Sequence, residues 1–452
     1  MAISGLKRVL GLSEVSFIAV GMTIGGGIFV FTGIVLKIVG PALPVAYALA
    51  VVPVFLSMLP LAMLGSAIPV TGGTYMYPSR MVSPRLAFVG IWVYALATFF
   101  GQIPLYSIAC ARYVMVLMPD MPEIPFAVAL ITFFCLINVL GVKLAAQIQG
   151  VMVLVLVAAL IFFSTSGLAD IRPEHFDGIF QKGAGNLLLG VALLTFTYLG
   201  SNGIIELGEE IKEPGKVIPR SFFINFPIVT VLYLGVALAA VNAVPWQGLV
   251  DVQEPLITVG RITMDRAGLY FFVLGGAVLA LTTTLNGLFI MATKSLMMIT
   301  KDGLLPKRLG TVNRRFGTAH ILFLLIWIIS MVGVLSGLTL ETFASYSALG
   351  GIIIFIPVLI ASLALPRRFP EQYRDSVFKL KGFWRYFCPF VGMAMALFFC
   401  LVILVDLKSP VKIALFILFI LSGFAYYGMR KRFLLKRGVD IEKIIKNDDW
   451  IK

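Results

Sequence analysis

The first groups in this sequence whose type and spacing could bind something are backbone atoms. Gly21-Met22-Thr23-Ile24-Gly25-Gly26-Gly27-Ile28-Phe29 sets three consecutive glycines inside an otherwise continuous apolar segment. Each Gly costs a helix roughly 1 kcal/mol relative to Ala, and hydrocarbon cannot satisfy the N–H and C=O groups that a break frees. A break here must therefore face a protein-lined polar cavity. In the turn Gly25-Gly26-Gly27, the N–H groups of Gly26 and Gly27 at the start of a second half-helix suit a carboxylate, and Thr23 adds a hydroxyl nearby. A second interruption lies in Phe196-Thr197-Tyr198-Leu199-Gly200-Ser201-Asn202-Gly203, with two glycines and an asparagine that tolerates left-handed backbone. Carbonyls freed around Phe196, Thr197 and Gly200 suit an ammonium group. An α-amino acid is the simplest ligand that carries both charges. The competing reading of the glycine cluster is close helix packing through small residues.

One carboxylate accompanies the second interruption. Glu206 lies in an apolar stretch, where an ionisable group is costly and marks a functional position by default. It can titrate with a coupled proton, meet a cationic substrate, or sit in the favourable dipole of a half-helix start with no transport role. Histidine offers no proton relay, since only His175 and His320 are present, both near segment ends. Cys110, Cys135, Cys388 and Cys400 all lie in apolar runs without ligand-type spacing, so neither a disulfide framework nor a zinc site is indicated.

The elements that must position these groups follow from composition. Of 452 residues, 60% are hydrophobic and 13% charged, against about 25% charged in soluble domains, which predicts an all-α polytopic membrane protein. The formal charge of +14 reflects topology rather than a nucleic-acid partner. At about 20 apolar residues per span, twelve segments are expected, with cores at 14–38, 43–68, 86–116, 125–141, 147–167, 186–207, 221–243, 268–298, 320–337, 342–364, 385–405 and 411–429. Connectors alternate in charge. Lys7/Arg8, Arg80/Arg85, Lys143, Lys212/Lys216/Arg220, Lys301 to Arg315, Arg367 to Lys381 and the tail from Arg430 fall on one side. Asp120/Glu123, Asp170/Glu174/Asp177 and Asp251/Glu254/Asp265 fall on the other. The positive-inside rule then makes both termini cytoplasmic. The first segment, preceded by Lys7 and Arg8 and followed by no cleavage signal, is expected to remain as a span. No ATP-binding motif of the Gly-rich, Lys-Ser/Thr type appears, which argues against a nucleotide-driven pump, and no enzymatic activity is expected.

Interruptions in segments one and six are five spans apart, the spacing of a five-helix unit repeated with inverted topology. The expected organisation is a cytoplasmic N-terminus (1–12), a first repeat (13–167, TM1–5), a second repeat (186–364, TM6–10), TM11–12 (385–429) and a basic cytoplasmic tail (430–452).

Four stretches resemble the amino acid–polyamine–organocation superfamily of secondary transporters, whose fold is the LeuT-type five-plus-five inverted repeat with broken TM1 and TM6. They are Gly21 to Phe29; Pro69-Val70-Thr71-Gly72-Gly73-Thr74-Tyr75-Met76-Tyr77; Phe196 to Gly200 with Glu209-Glu210-Ile211-Lys212-Glu213-Pro214 and Ile218-Pro219-Arg220; and Leu285-Asn286-Gly287 with Lys301-Asp302-Gly303-Leu304-Leu305-Pro306 and Val312-Asn313. The resemblance implies that Phe196 is an aromatic gate over the substrate. Asn202 stands where many relatives carry an acid, which points to neutral substrates. Lys294 takes the place of a usual Arg, read as snorkelling or binding a helix C-terminus, and Tyr75 and Tyr77 are read as interfacial-belt residues. Proton-linked relatives carry a fifth-span lysine; by counting from Gly141-Val142-Lys143-Leu144, Leu156 falls there, in a run without ionisable groups. Thr282-Thr283-Thr284 aligns with the hydroxyl pair of a sodium site, and Thr282 and Thr283 with the carbonyls of Gly21 and Ile24 would form an oxygen cage for Na+. The alternative is that these threonines bond their own i−4 carbonyls.

The expected protein is thus a cytoplasmic-membrane permease for neutral amino acids, working by alternating access as a sodium symporter, with a small-molecule substrate, membrane lipids as surroundings, no nucleic acid and no organic cofactor. The alternatives are a proton-coupled or ion-independent amino acid/polyamine exchanger, or a non-transporting nutrient sensor on the same fold. Oligomeric state leaves no signal in the sequence.

Overall fold

Apolar residues cover every face of the long segments, and a helix is the element that satisfies such a segment's backbone internally. The computed structural model describes residues 7–446 apart from 251, 253, 314 and 407–409. Asp251, Arg314 and the chain ends before 7 and after 446 therefore lie outside the described residues. The described residues form twenty α-helices joined by turns, 3-10 and π segments, and pair in strand fashion only at isolated bridges.

The first segment divides into α1 (Leu12–Thr23) and α2 (Gly27–Val39), followed by α3 (Leu43–Ala67) and the short α4 (Gly73–Met81). Next come α5 (Pro84–Ala95) and α6 (Ile103–Met115), joined by a π-helical Leu96–Gln102, then α7 (Glu123–Val139) and α8 (Val142–Gly167). The sixth segment is α9 (Gly183–Thr195) with 3-10 turns at Phe196–Tyr198 and Ser201–Glu206. Beyond it lie α10 (Pro214–Ala243), α11 (Pro255–Thr263) and α12 (Arg266–Phe271), the last joined through a π-helical Phe272–Val278 to α13 (Leu279–Lys301). The chain ends in α14 (His320–Leu335), α15 (Leu340–Ile353), α16 (Phe355–Arg368), α17 (Pro370–Asp375), α18 (Trp384–Asp406), α19 (Pro410–Leu435) and α20 (Ile441–Lys446).

Ten helical stretches among the described residues are long and apolar enough to cross a membrane, and α7 and α14 are shorter apolar helices. Burial sorts them by depth. Helices α1, α3, α8, α10 and α13 pack into one group, whereas only 28% of the most apolar stretch of α18 and 17% of that of α19 is buried in protein, so these two present their apolar surface outward, as a lipid-facing helix does.

The π segment in the third span frees carbonyls that neighbouring helices answer: Ser330 Oγ donates to Phe99 O (2.9 Å) and Ser347 Oγ to Ala97 O (3.2 Å). On the sequence pattern's basic side, Ile441 and Ile445 of α20 are buried, and Glu442 meets Lys431 Nζ (2.7 Å) and the Tyr427 hydroxyl (3.1 Å). The bond from Lys431, opposed by partial burial, holds the Glu442 carboxyl below its usual 4.5. A depressed carboxyl contributes stability that is present above the unfolded value and lost as pH falls through the folded one. Docking of α20 should therefore persist at neutral pH and loosen below the usual carboxyl range. Limited proteolysis of the tail against pH measures this, and Glu442→Gln should give at pH 7 the cleavage rate that the unaltered chain reaches only in acid.

Candidate functional site

The two interruptions meet. Gly200 has φ +151°, a conformation that side chains rarely adopt, and a Cβ there would lie 2.6 Å from Met22 O. Only glycine lets the sixth segment come this close to the end of α1. Between the interruptions lies a cavity of about 80 Å³. Thr23, Gly25, Gly27, Phe196, Thr197, Gly200 and Asn202 all line it, joined by Tyr94, Gln102 and Tyr106 of the third span and by Thr284, Leu288 and Met291 of α13. Gly26 does not line it. It caps α2 with its Cα against Leu281 and Tyr106, where a Cβ would meet Leu281 Cδ2 at 2.4 Å.

Both readings of the glycine cluster thus hold at once. A Cβ on Gly25 would fall 2.0 Å from Thr284 Oγ1 and one on Gly21 2.3 Å from Gln149 Nε2, so the glycines allow α8 and α13 to press against the break. The same break ends α1 at Thr23 and restarts helix at Gly27, which turns a helix N-terminus toward the cavity.

Side chains around the cavity have definite partners. Thr23 Oγ1 donates to Ala19 O (2.7 Å) and Thr197 Oγ1 to Leu194 O (2.7 Å), so both hydroxyls close their own helix ends. Asn202 Oδ1 accepts from Gly200 N–H (3.0 Å) and fixes the turn of the interruption. The Phe196 ring lies against Phe31, tilted by 39° with centroids 5.4 Å apart. Tyr233 of α10, which no sequence motif marks, donates to Thr23 O (2.7 Å) and Thr197 O (3.0 Å). One phenol thus joins the backbone carbonyls of both interruptions.

Next to this lies a cluster of oxygens. Thr283 Oγ1 is 3.1 Å from Gly21 O and 3.0 Å from Ala280 O, and Thr284 Oγ1 is 3.5 Å and 3.1 Å from the same two carbonyls. All three threonines bond carbonyls one turn back on their own helix, Thr283 and Thr284 that of Ala280 and Thr282 those of Val278 (2.9 Å) and Leu279. Thr282 bonds only there, whereas Thr283 and Thr284 also reach Gly21 O. Successive residues on a helix point about 100° apart, and Thr284 rather than Thr282 shares Thr283's side. Ile24 is fully buried one turn after Gly21, with its N–H on Val20 O. The fifth-span residues against Gly21 are Gln149 and Val153, on the same face of α8 as Leu156, which lies about two turns and one turn further on. Gln149 Nε2 donates to Thr283 O (3.0 Å), and Asn286 Nδ2 donates to Gln149 Oε1 (2.8 Å).

Glu206 lies outside the cavity lining. Its Oε1 accepts from Thr74 N–H (2.8 Å) and its Oε2 from Ser295 Oγ (2.7 Å), while its backbone carbonyl accepts from Gly72 N–H (3.0 Å). It fastens the glycine signature after α3 to the sixth segment and α13. Nearby, Arg80 and Asp302 form a bidentate pair at 2.7 Å, joined by the Tyr75 hydroxyl (2.6 Å). Lys294 Nζ meets Glu210 at 2.7 Å, with both side chains buried. Two expectations are corrected. Tyr75 and Tyr77 are fully buried rather than belt residues, with Tyr77 OH on Ile68 O, because the loop after α3 folds inward. Lys294 neither snorkels nor caps a helix, because Glu210 lies within reach.

An all-helical bundle of membrane-crossing length whose two interrupted segments enclose a central cavity defines a polytopic membrane protein built around a small-molecule site. A family model described as amino acid permease matches residues 10–429, and the chain belongs to that family of the amino acid–polyamine–organocation superfamily, which comprises transporters rather than enzymes. The branched-chain amino acid permease BcaP of Bacillus subtilis is 24% identical over 94% of both chains. The methylthioribose transporter of the same organism is 26% identical, covering 81% of this chain and 83% of its own. The mitochondrial cationic amino acid transporter 3 of Arabidopsis thaliana is 27% identical over 69% of this chain and 54% of its own.

Proposed function

We propose that this chain is a secondary transporter that moves neutral amino acids across the cytoplasmic membrane by alternating access, with sodium as the coupling ion. The observation that carries the reading is the meeting of the two interrupted helices at one cavity. A helix N-terminus at Gly27 is available to the substrate carboxylate and the carbonyls of Thr23, Thr197 and Gly200 to its ammonium group. Phe196 closes the cavity on one side. No Asp, Glu, Lys, Arg or His is among the residues lining it, and an ionised substrate side chain would be desolvated there without a counter-charge.

The inverted repeat is supported by a correspondence beyond the interruptions. Spans three and eight, also five apart, each carry a seven-residue π segment, Leu96–Gln102 and Phe272–Val278. We read α7 and α14 as crossing helices too, which brings the count to twelve with both termini cytoplasmic.

The oxygens of Gly21, Ala280, Thr283 and Thr284 are neutral carbonyls and hydroxyls, a donor set suited to a hard monovalent cation, and they would hold sodium. Bound there, the ion would supply positive charge beside the substrate's carboxylate. Both oxygens of Glu206 are engaged away from the cavity, which disfavours it as a proton carrier for the substrate.

Uptake of radiolabelled amino acids into proteoliposomes, with Na+ and pH varied separately, tests these readings. Replacing Na+ with choline should lower uptake about tenfold or more, as expected for losing one charge-assisted interaction. Thr283→Ala should remove both the Na+ dependence and the binding of labelled sodium. Uptake indifferent to Na+ sinks the cation assignment, and a failure to take up or exchange any amino acid sinks transport.

A further inference from the structure

We infer that Gln102 selects the substrate's side chain, and that the preferred substrates are amino acids whose uncharged side chain donates a hydrogen bond. The inference rests on the transport reading above and deepens it. Gln102 is the last residue of the π segment in the third span and borders the central cavity. Its Oε1 is shut off from water and accepts no hydrogen bond. Buried acceptors left without a donor are rare and call for an explanation.

The setting supplies one. A π segment shifts the residues that follow it relative to an unbroken helix, and such segments recur at functional sites. Here the carbonyls around it are answered by Ser330 and Ser347 from α14 and α15, so the segment is held while the glutamine at its end is not. The terminal torsion of a glutamine is broad, and a small rotation turns Oε1 into the cavity. A carboxamide oxygen only accepts, so what it lacks is a donor: a hydroxyl, an amide N–H or an indole N–H. An ammonium or guanidinium side chain would also donate, but no carboxylate lines the cavity to balance its charge. The α-carboxylate and α-ammonium are taken by the backbone groups of the interruptions, which leaves the Gln102 carboxamide to the side chain.

Threonine and valine have nearly the same shape and differ in one hydroxyl, which makes them the discriminating pair. In proteoliposomes containing the full chain, kcat/KM for threonine should exceed that for valine by about tenfold or more, as in sites built to hydrogen-bond a substrate hydroxyl. Gln102→Met, which keeps length and flexibility but removes the acceptor, should bring the ratio near one, with the larger loss falling on threonine. Lysine should compete poorly in both forms. A wild-type ratio near one overturns the inference without touching the transport reading, and it does so even if the variant fails to fold. A ratio unchanged in Gln102→Met, or an equal loss for both substrates, overturns it as well, since the residue would then be silent or would act on the common α-amino part. Uptake of neither amino acid by the wild type overturns the transport reading and this inference together.

Discussion

Replacing Asp302 with Asn is expected to destabilise the protein by about 3–5 kcal/mol, the usual cost of removing one partner from a buried ion pair. The Asp302 carboxylate accepts two parallel bonds from Arg80 and a third from the Tyr75 hydroxyl. The paired side chains are 6% and 8% exposed. Asparagine keeps the shape but gives up the charge and one of the two acceptors, so the guanidinium stays buried without its carboxylate. Most of the loss is that stranded charge rather than the worth of the pair. The double variant Arg80→Met/Asp302→Leu should accordingly recover much of it. Thermal unfolding in detergent, followed for both single variants and the double one, checks this: a double variant as unstable as the worse single would show that the pair itself, and not the orphaned charge, carries the energy. Uptake should fall with the single variants too. Arg80 sits on α4 just past the glycine-rich signature, and Asp302 directly follows α13, the helix that supplies Thr283 and Thr284. The pair thus anchors the far end of the helix on which those hydroxyls stand. Lys294 and Glu210 make a second buried tie close by, and the Glu210 carbonyl also holds the N–H groups of Val9 and Leu10, which fixes the entry to α1 against the exit of the sixth segment.

How much of this was legible beforehand depends on whether the cause is local. A glycine run in an apolar segment is a local cause: it weakens one helix wherever that helix lies, and the interruptions at Gly25–Gly27 and Gly200 followed from it. The long apolar segments were equally plain, because hydrocarbon leaves the backbone few alternatives. What the sequence shows poorly is which way a helix face turns. Three adjacent threonines cover about 200° of the helix circumference, and nothing in Thr282-Thr283-Thr284 says which two look at Gly21; the packing of Gly25 onto Thr284 decides it. Gln149 and Val153 likewise meet Gly21 only because that face of α8 is turned toward α1. Arg80 and Asp302 are 222 positions apart, and in the sequence each is one more charge in a connector. Gln102 and Tyr233 had no signal at all. Each is a polar residue in an apolar helix, and its role exists only because another helix passes beside it.

Tyr233 shows what such a residue does. It has a single hydroxyl proton and two carbonyls in reach, Thr23 O at 2.7 Å and Thr197 O at 3.0 Å, so it can bond one fully or share between both. These carbonyls end the first half of each interrupted segment, and they are the groups a substrate ammonium group would approach with three N–H donors of its own. The phenol holds the interruptions together; in the proposed binding mode a substrate ammonium would take over part of that task. Tyr233→Phe removes the shared donor and keeps the ring, which packs against Tyr47 and Tyr198 at 5.3 and 5.0 Å. The expected cost is about 1–3 kcal/mol for buried carbonyls left without a donor, and the uptake rate should drop about tenfold or more if the two segments no longer move as a pair. A purely structural loss would lower stability with and without substrate alike. The competition described here predicts otherwise, that added amino acid raises the melting temperature of Tyr233→Phe by more than it raises that of the wild type, because it restores a donor the variant lacks. Tyr198→Phe is the comparison: Tyr198 lies in the second interruption, and its hydroxyl bonds Tyr47 O of α3 (3.1 Å) rather than Thr23 O or Thr197 O, so the same substrate effect is not expected there. If substrate stabilises Tyr233→Phe and the wild type equally, the phenol is a packing group, and the two interruptions are joined by close packing such as Gly200 on Met22 and Gly27 on Thr197.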